Sequence, residues 1–225
     1  MDSTKSMQWP TAEMIASVCS PAPGYRYEVL RQETVSELIT ALGAWQTGWS
    51  VGAASVYLRE DYYKADVFLE GGPQKDVFVM LIRQGDELAG MLSQERIVDA
   101  LSLYASLAVL APAHRGGKSL EFQGDYLEEI AKLMGLEYVY ALATLKHRGS
   151  QRYFESHGYK LVGFVPGYDR EEVSPGVVKR VVEAAYAKCL VEGEAILSPD
   201  ISNMTSTVRR LYEVIYATAP ATRAV

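Results

Sequence analysis

The chain has 225 residues, of which 48% are hydrophobic and 22% charged, and its formal net charge is −6 at pH 7. This length and composition are typical of one folded domain with a sizeable core and short extensions. The acidic balance argues against nucleic-acid binding over a broad basic surface, and no apolar run reaches the roughly 20 residues that cross a bilayer, so we expect neither nucleic acid nor a membrane as a partner.

Residues 1–24 are predicted to form an N-terminal extension with one short helix at 11–18. The segment contains three prolines and no continuous apolar stretch like that of a secretory signal, which predicts a cytoplasmic protein. Cys19 and Cys189 lie far apart without a C-x-x-C spacing. This pattern predicts free thiols, with neither a disulfide framework nor a metal site.

The main domain is predicted to cover residues 25–197. Residues 25–30 alternate as in a half-buried strand. Val35, Leu38 and Leu42 then recur at spacings of three and four, which predicts an amphipathic helix over 33–49. Residues 50–72 are expected to contain a second helix and a loop.

Two apolar runs, 76–83 and 87–93, flank Gly85-Asp86 and predict a β-hairpin. Residues 101–110 predict a third successive strand. The elements after it are a helix from about Leu120 to Gly135 with Gly124 inside it, a strand at 138–145, a helix at 148–156, a strand at 159–165 and a strand in 177–191. A closing helix and a tail are predicted in 198–225, packed on the same domain.

The segment from Leu107 to Phe122 predicts a strand, a glycine-containing turn and the start of a helix. Pro112 ends the strand, and Arg115, Gly116, Gly117, Lys118 and Ser119 follow it. Backbone N–H groups that converge at a helix N-terminus stabilise an anion. The turn therefore predicts a site for a compact phosphorylated ligand.

One class of protein with such a turn is the P-loop nucleotide hydrolase. Residues 112–119 nearly satisfy G-x-x-x-x-G-K-[S/T], with Lys118 and Ser119 at the positions for phosphate and magnesium. Pro112 occupies the position of the first glycine and cannot adopt its backbone. The strand at 138–144 also has no acid to hold magnesium, so this alternative lacks its expected context.

The same turn resembles the acyl-CoA loop of the GNAT acetyltransferase superfamily. Leu110-Ala111-Pro112 followed by Arg115-Gly116 is similar to that family's V-x-P step and R-G-x-G-x-G/A turn, although its later glycines fall at Lys118 and Leu120. About 40 residues beyond the turn, residues 150–159 resemble the family's A-x-x-L/F-Y-x-x-x-G-F pattern. The resemblance implies a mixed α/β fold with a central, mostly antiparallel sheet flanked by helices.

The resemblance also implies transfer of an acyl group, most often acetyl, from acetyl-CoA to a primary amine by direct attack on the thioester, without a metal. The acceptor would be a small molecule or a protein, and a homodimer is possible. The implied coenzyme A contacts are Leu110, His114, Arg115, Gly116, Gly117, Lys118 and Ser119. A non-catalytic acyl-CoA-binding protein of the same fold is the alternative.

Two catalytic candidates follow from the resemblance and from residue chemistry. Tyr153 is the candidate acid for the leaving thiolate, although alignment on Gly158-Tyr159 puts Phe154 at the family's tyrosine position. On a helix, the Tyr153 side chain then points about 100° away from that of Phe154. The alternatives to Tyr153 as the acid are protonation of the thiolate by solvent and loss of catalysis. Glu95 is the first candidate for the base.

The sequence offers several further carboxylates and aromatic residues as candidates for the acceptor site and does not choose among them. Asp99 and the Glu60-Asp61 pair follow Glu95 as candidate bases. Tyr104 shares a strand face with Ser102 and Ser106, which is compatible with lining the cleft or with simple packing. We expect the acceptor to be recognised by residues 33–72.

Overall fold

The structure is a computed structural model that describes residues 7–46, 48–116 and 124–216. The helices are α1 (Ala12–Val18), α2 (Val35–Trp45), α3 (Glu60–Ala65), α4 (Tyr126–Met134), α5 (Gly149–Ser156) and α6 (Ser206–Tyr216). The strands are β1 (Tyr25–Val29), β2 (Val67–Phe68), β3 (Val77–Gln84), β4 (Glu87–Ile97), β5 (Ser102–Leu110), β6 (Tyr138–Thr144), β7 (Lys160–Ser174) and β8 (Val177–Cys189). Within these described ranges, no helix combines the length and apolar character needed to span a membrane.

The strands form one eight-stranded sheet in the order β1-β3-β4-β5-β6-β8-β7, with β2 beside β3. Only β5–β6 and β2–β3 are parallel pairs, and all the others are antiparallel. Helices cover both faces of this sheet. The predicted fold class, a mixed and mostly antiparallel sheet flanked by helices, is confirmed.

The sheet opens between β5 and β6. These strands pair only where Ser102–Ala105 lies against Tyr138–Ala141, although β5 continues to Leu110 and β6 to Thr144. A bulge in β5 accompanies the separation, because Ser93 of β4 opposes Leu107 while the next residue, Gln94, opposes Ala105. An extra residue in one strand bends it. The two strands therefore diverge beyond the bulge.

Two apolar clusters hold the helices on the sheet. On one face, α1, α4 and α5 pack on the strands through residues such as Ile15, Ile130 and Phe154. On the other face, α2, α3 and the 3₁₀ turn Ala53–Leu58 pack through residues such as Leu38 and Tyr63. The N-terminal segment contributes Trp9, Ile15 and Cys19 to the first of these clusters.

The element predictions hold with shifts at their ends. α2 ends at Trp45, before the predicted end at residue 49; β7 continues to Ser174, past the predicted end at residue 165, and β8 lies within the predicted range 177–191. The helix after the turn begins at Tyr126, so that Gly124 lies outside it with φ of 114°. Asp125 sets this start, because its side chain accepts hydrogen bonds from the Leu127 and Glu128 backbone N–H groups.

Candidate active site

The separation of β5 and β6 leaves one edge of β5 open. From Ser106 to Leu110, no strand in the described part of the chain pairs with this edge, while β4 pairs with the other. Gly90 permits the close approach of β4 here, because a Cβ at this position would lie 2.6 Å from the Val109 carbonyl oxygen. An open strand edge presents a row of backbone N–H and C=O groups. It can bind an extended ligand that contains amide groups.

The turn after β5 is tied back to the body of the domain by Arg115. Its Nε donates to the Leu110 carbonyl oxygen at 2.9 Å and its Nη2 donates to the Trp45 carbonyl oxygen at 3.3 Å. Gly116 has φ of 74°, and no described residue lies within 4 Å of a Cβ added there. The other predicted contacts, Gly117, Lys118 and Ser119, lie outside the described residues.

His114 is buried within the same turn, with 8% of its surface exposed. Its Nδ1 lies 2.9 Å from the Tyr25 hydroxyl, and its Nε2 lies 3.4 Å from Glu87 Oε1. These contacts join the turn to β1 and to the start of β4. The sequence indicated a ligand contact, and the structure adds a packing role for this side chain.

Asp125 is the centre of a buried polar network at the N-terminus of α4. Its Oδ1 accepts hydrogen bonds from the N–H groups of Leu127 and Glu128 at 3.2 and 3.3 Å, and from the hydroxyls of Tyr153 and Tyr159 at 3.0 and 3.3 Å. The N–H groups of Leu127 and Glu128, in the first turn of α4, are therefore hydrogen-bonded to the Asp125 carboxylate. Sequence reasoning missed this role, although an aspartate before an apolar helical pattern is a recognised capping signal.

Lys188 of β8 completes the network. Its Nζ lies 3.2 Å from Asp125 Oδ2 and 2.7 Å from the His157 carbonyl oxygen, and it also pairs with Glu128. A buried carboxylate is stabilised when a cation and several donors surround it. The network therefore fastens α4 to β8 and to the end of α5.

Tyr153, the candidate acid, belongs to this network. Its hydroxyl donates to Asp125, and burial followed by the charge of Asp125 raises its pKa well above the ordinary range. Tyr159 is affected in the same way. The proton of Tyr153 is thus strongly held and directed at a carboxylate.

Glu95, the candidate base, lies on the opposite face of the sheet. It opposes Tyr104 in the β4–β5 register, and the Tyr104 ring stacks on Tyr140 with centroids 4.9 Å apart. Burial first, and then the charges of Asp76 and Asp66, raises the pKa of Glu95. The structure therefore does not bring Glu95 and Tyr153 together on one face, since Tyr153 packs with the α4 and α5 cluster.

Glu95 also lines a cavity of about 380 Å³ between β4 and α3. The other residues that line it are Tyr62, Ala65, Asp66, Lys75, Asp76 and Val77. The remaining candidate bases face solvent: Glu60 pairs with Lys64 at 3.3 Å, Asp61 lies 3.8 Å from Arg59, and Asp99 is exposed. Glu95 is also exposed by its surface area, and among the acids proposed as bases it is the one that lines this cavity.

A cluster of hydroxyl groups marks the bulge in β5. The Tyr57 hydroxyl lies 2.7 Å from Ser93 Oγ and 3.1 Å from Ser106 Oγ, and Ser106 Oγ donates to the Ser93 carbonyl oxygen at 3.0 Å. Tyr57 belongs to the 3₁₀ turn that precedes α3. The hydrogen bonds hold this turn against the point where the sheet opens.

A larger cavity of about 610 Å³ lies between residues 50–55 and the β7–β8 hairpin. Gly52 makes the contact possible, because its φ is 86° and a Cβ would lie 2.1 Å from the Arg170 carbonyl oxygen. The Ala53 N–H donates to Asp169 Oδ1 at 2.8 Å. The segment predicted to recognise the acceptor thus forms one wall of a cavity, and the hairpin forms the other.

No protein-family model matches the sequence, and a search of curated proteins gives no match. Solved structures do match. Spermidine N-acetyltransferase from Vibrio cholerae, in complex with CoA and spermine, is 10% identical and superposes with a TM-score of 0.58 over 75% of this chain and 97% of that chain. A probable acetyltransferase from Staphylococcus epidermidis is 12% identical, with a TM-score of 0.56 over 74% and 99% of the two chains.

The ribosomal-protein-S18-alanine N-acetyltransferase from Escherichia coli is also similar, with 11% identity and a TM-score of 0.54 over 77% of this chain and 99% of that chain. The P-loop alternative is contradicted, because the strand before the turn is antiparallel to β4 and Pro112–His114 forms a 3₁₀ turn. The resemblance found in the sequence is confirmed at the level of structure. The chain has the fold of the GNAT superfamily of N-acetyltransferases.

Proposed function

We propose that this protein is an acyl-CoA-dependent N-acyltransferase that transfers acetyl from acetyl-CoA to a primary amine. The observation that carries the proposal is the open edge of β5 from Ser106 to Leu110. Pantetheine is an extended chain with two amide groups, so it can bond to such an edge as a short strand would. The GNAT fold, shared with N-acetyltransferases of known structure, supports the same activity.

The pyrophosphate of coenzyme A is proposed to lie against the turn from His114 to Ser119. Toward the described residues, Arg115 donates through Nε and Nη2 to backbone oxygens, and a guanidinium has five N–H groups, several of which can form charge-assisted bonds to phosphate. The Leu127 and Glu128 N–H groups are bonded to Asp125. We therefore propose that the turn residues, rather than these amides of α4, bind the phosphates.

Acyl transfer from a thioester to an amine requires only a few protein groups, each at a defined position. The neutral acceptor nitrogen attacks the thioester carbonyl carbon and loses a proton, the carbon–sulfur bond breaks, and the departing thiolate takes up a proton to become the thiol. A backbone N–H on the open edge of β5 is proposed to stabilise the oxyanion, a contribution of a few kcal/mol in comparable sites. Holding the two substrates together supplies much of the remaining rate enhancement.

Glu95 is proposed as the base that takes the proton of the acceptor ammonium. Its raised pKa makes it a better proton acceptor than a carboxylate of ordinary pKa, since a base works best with a pKa close to the operating pH. Tyr153 can act as the acid only by exchanging its bond to Asp125 for one to the thiolate. Because the loss of the Tyr153–Asp125 hydrogen bond is unfavourable, we propose that solvent supplies the proton to the thiolate.

Two measurements test the proposal. Acetyl-CoA should raise the melting temperature without magnesium, because a ligand that binds only the folded state stabilises it. Thiol release from acetyl-CoA should then depend on an added amine. Stabilisation without thiol release across a broad amine panel would support the alternative of a non-catalytic acyl-CoA-binding protein, and the absence of both would contradict the assignment.

We also propose that the protein forms a homodimer. β7 is the last strand of the sheet, and its Phe164 is 59% exposed. α6 adds exposed apolar side chains, including Leu211 and Val214 at 54% and 79%. α6 lies against β7, and large exposed apolar patches are typical of interfaces. Sedimentation equilibrium measures the association directly, and a monomer at all concentrations would contradict it.

A further inference from the structure

Two arginines face each other across the β7–β8 hairpin, in the wall of the cavity of about 610 Å³ beside residues 50–55. Arg170 of β7 and Arg180 of β8 are directly opposite in the antiparallel register, and both line the cavity. Directly opposite residues project to the same face, with Cβ atoms about 5 Å apart. Like charges at this separation repel each other, so a bound anion would stabilise the pair.

The Arg180 side chain is held across β7 at the cavity. Its Nη1 donates to the Gly167 carbonyl oxygen at 2.8 Å, and its Cδ lies 3.5 Å from the position of a Cβ on Gly167. The Arg170 side chain makes no hydrogen bond or ion pair with any residue in the described ranges. A guanidinium has five N–H donors in a planar fork that matches a carboxylate or a phosphate. Several donors of the two side chains can therefore bond to one anion.

The acidic residues of this region are bonded to other groups. Asp169 is the one carboxylate among the described residues that line the cavity, and its Oδ1 accepts the N–H groups of Ala53 and Arg170 at 2.8 and 2.6 Å. Glu172 accepts the Ser50 hydroxyl at 3.0 Å and a backbone N–H of the hairpin turn at 2.7 Å. Two arginines against one carboxylate leave the described wall of the cavity with a net positive charge.

The cavity adjoins the point where the sheet opens. Ser55 lines it, and Tyr57, two residues further along the same 3₁₀ turn, contacts Ser93 and Ser106 at the bulge in β5. Two residues of a 3₁₀ helix rise about 4 Å. A ligand in the cavity therefore lies close to the open edge of β5, where the thioester is proposed to bind.

We propose that Arg170 and Arg180 bind an anionic group of the acceptor, a carboxylate or a phosphate-type group. The inference rests on the proposed function and names its substrate class, an amine that carries a negative charge at its other end. Oxygen anions form charge-assisted bonds with two guanidinium forks at once. Because the chain as a whole has a net charge of −6, an anionic acceptor needs a local cationic site of this kind.

Calorimetric titration of the full chain tests the inference without turnover. The probes are ω-aminoalkanoic acids and ω-aminoalkylphosphonates of increasing length, each compared with the n-alkylamine of equal carbon number. The wild type should bind the best anionic probe at least about tenfold more tightly than its alkylamine, and Arg170→Gln and Arg180→Gln should each remove most of that preference. A preference for either anion supports the inference and identifies the anion. Equal or undetectable binding of the two probe classes, or an unchanged preference in either variant, would overturn it.

Arg209→Gln is the matched control for Arg180→Gln. Arg209 is also exposed and also donates to a backbone carbonyl oxygen, that of Ile201 at 3.0 Å, but it lies on α6 rather than in the cavity wall. Its variant should keep the preference for the anionic probe. Arg170→Gln should leave the melting temperature unchanged or raise it, because it removes a like-charge contact. A loss of the preference in that variant then reports lost binding rather than lost folding.

Thiol-release assays separate this inference from the proposed function. Both cavity variants should raise KM for the anionic amine with little change in kcat, as expected for lost binding. If no amine releases thiol from acetyl-CoA while the preference for the anionic probe persists, the proposed function fails and the anion site stands. Thiol release by amines without any preference for the anionic probe would support the proposed function and overturn the anion site.

Discussion

Asp125 joins α4, α5 and β8 through one side chain. It caps α4, accepts the hydroxyls of Tyr153 and Tyr159, and faces Lys188 of β8. Asp125→Asn keeps the shape but removes the charge that balances the lysine. We expect the free energy of unfolding to fall by about 3 kcal/mol, the lower end for a buried ion pair that loses one partner, because Lys188 keeps some exposure.

Chemical denaturation measures this change. Asp200→Asn is the matched control, because Asp200 also caps a short turn through the Ser202 N–H but is exposed. It should have little effect on stability. An equally small effect for Asp125→Asn would show that the buried network does not stabilise the fold.

Tyr153→Phe distinguishes a structural hydroxyl from a catalytic one. Because the hydroxyl donates to Asp125, its loss should cost about 1 kcal/mol of stability, as for one hydrogen bond. The rate of thiol release should change by less than about threefold if solvent protonates the thiolate. A fall of a hundredfold or more in kcat, with stability little changed, would instead assign the proton to Tyr153.

The pH dependence of the rate reports on Glu95. A base must be ionised, so kcat/KM should fall as the pH drops through the raised pKa of Glu95. Asp76→Asn removes a repelling charge, which lowers that pKa and should move the acidic limb of the profile to lower pH. Glu95→Gln should remove the limb together with most of the activity. An acidic limb at the same pH in Asp76→Asn would assign it to another group.

At the scale of elements, the connection between α2 and α3 is fitted to the β7–β8 hairpin at Gly52. An added Cβ would lie 2.1 Å from the Arg170 carbonyl oxygen, and the residue has φ of 86°. Gly52→Ala should therefore displace one wall of the larger cavity. We expect KM for the amine to rise about tenfold or more while KM for acetyl-CoA stays the same, an effect of at least about 1.4 kcal/mol.

Gly71→Ala is the control for backbone strain alone. Gly71 has φ of 82°, but none of the residues in the described ranges lies within 4 Å of the added Cβ. It should cost about 1 kcal/mol of stability, as alanine does at a left-handed position. Steady-state assays of both variants separate the two effects. Similar KM values in the two variants would show that the contact at Gly52 does not shape the acceptor site.

The elements differ in how far the sequence predicts them. α2 follows from Val35, Leu38 and Leu42, because their spacing alone places one apolar stripe on the sheet. The start of α4 was predicted too early, because the capping role of Asp125 was missed. Its partners Tyr153 and Lys188 lie 28 and 63 residues away in the chain. Contacts at such distances leave no local pattern to recognise.

The turn after β5 shows the same limit at the candidate site. Residue types alone suggested that His114 faces an anion, whereas the fold places it against Tyr25, 89 residues away. The bulge in β5 likewise depends on pairing with β4 and on the Tyr57 hydroxyl. Strand alternation predicted the strand but could not reveal the extra residue.

At the scale of the whole molecule, the sheet separates the two sides of the proposed reaction. The face with α4 and α5 carries Asp125 and Tyr153, and the face with α2 and α3 carries Glu95 and Tyr104. The opening between β5 and β6 is where the two faces meet. This arrangement suits a long donor that reaches through the sheet and an acceptor that approaches from the other side.

The fold as a whole followed from the order of predicted strands and helices together with the family resemblance. The insertion of β8 between β6 and β7 did not. An antiparallel hairpin can attach to a sheet through either of its strands, and the choice depends on long-range packing. β8 lies between β6 and β7, and it carries Glu183 on one face of the sheet and Lys188 on the other.

Amine-dependent thiol release from acetyl-CoA, followed in time with the full chain, is the direct test of acyl transfer by this protein. We expect an amine to release coenzyme A faster than acetyl-CoA hydrolyses alone, and the amine to gain the mass of an acetyl group. Magnesium should make no difference to the rate. Release that is independent of every amine tried, or no release at all, would contradict acyl transfer as the function of this fold.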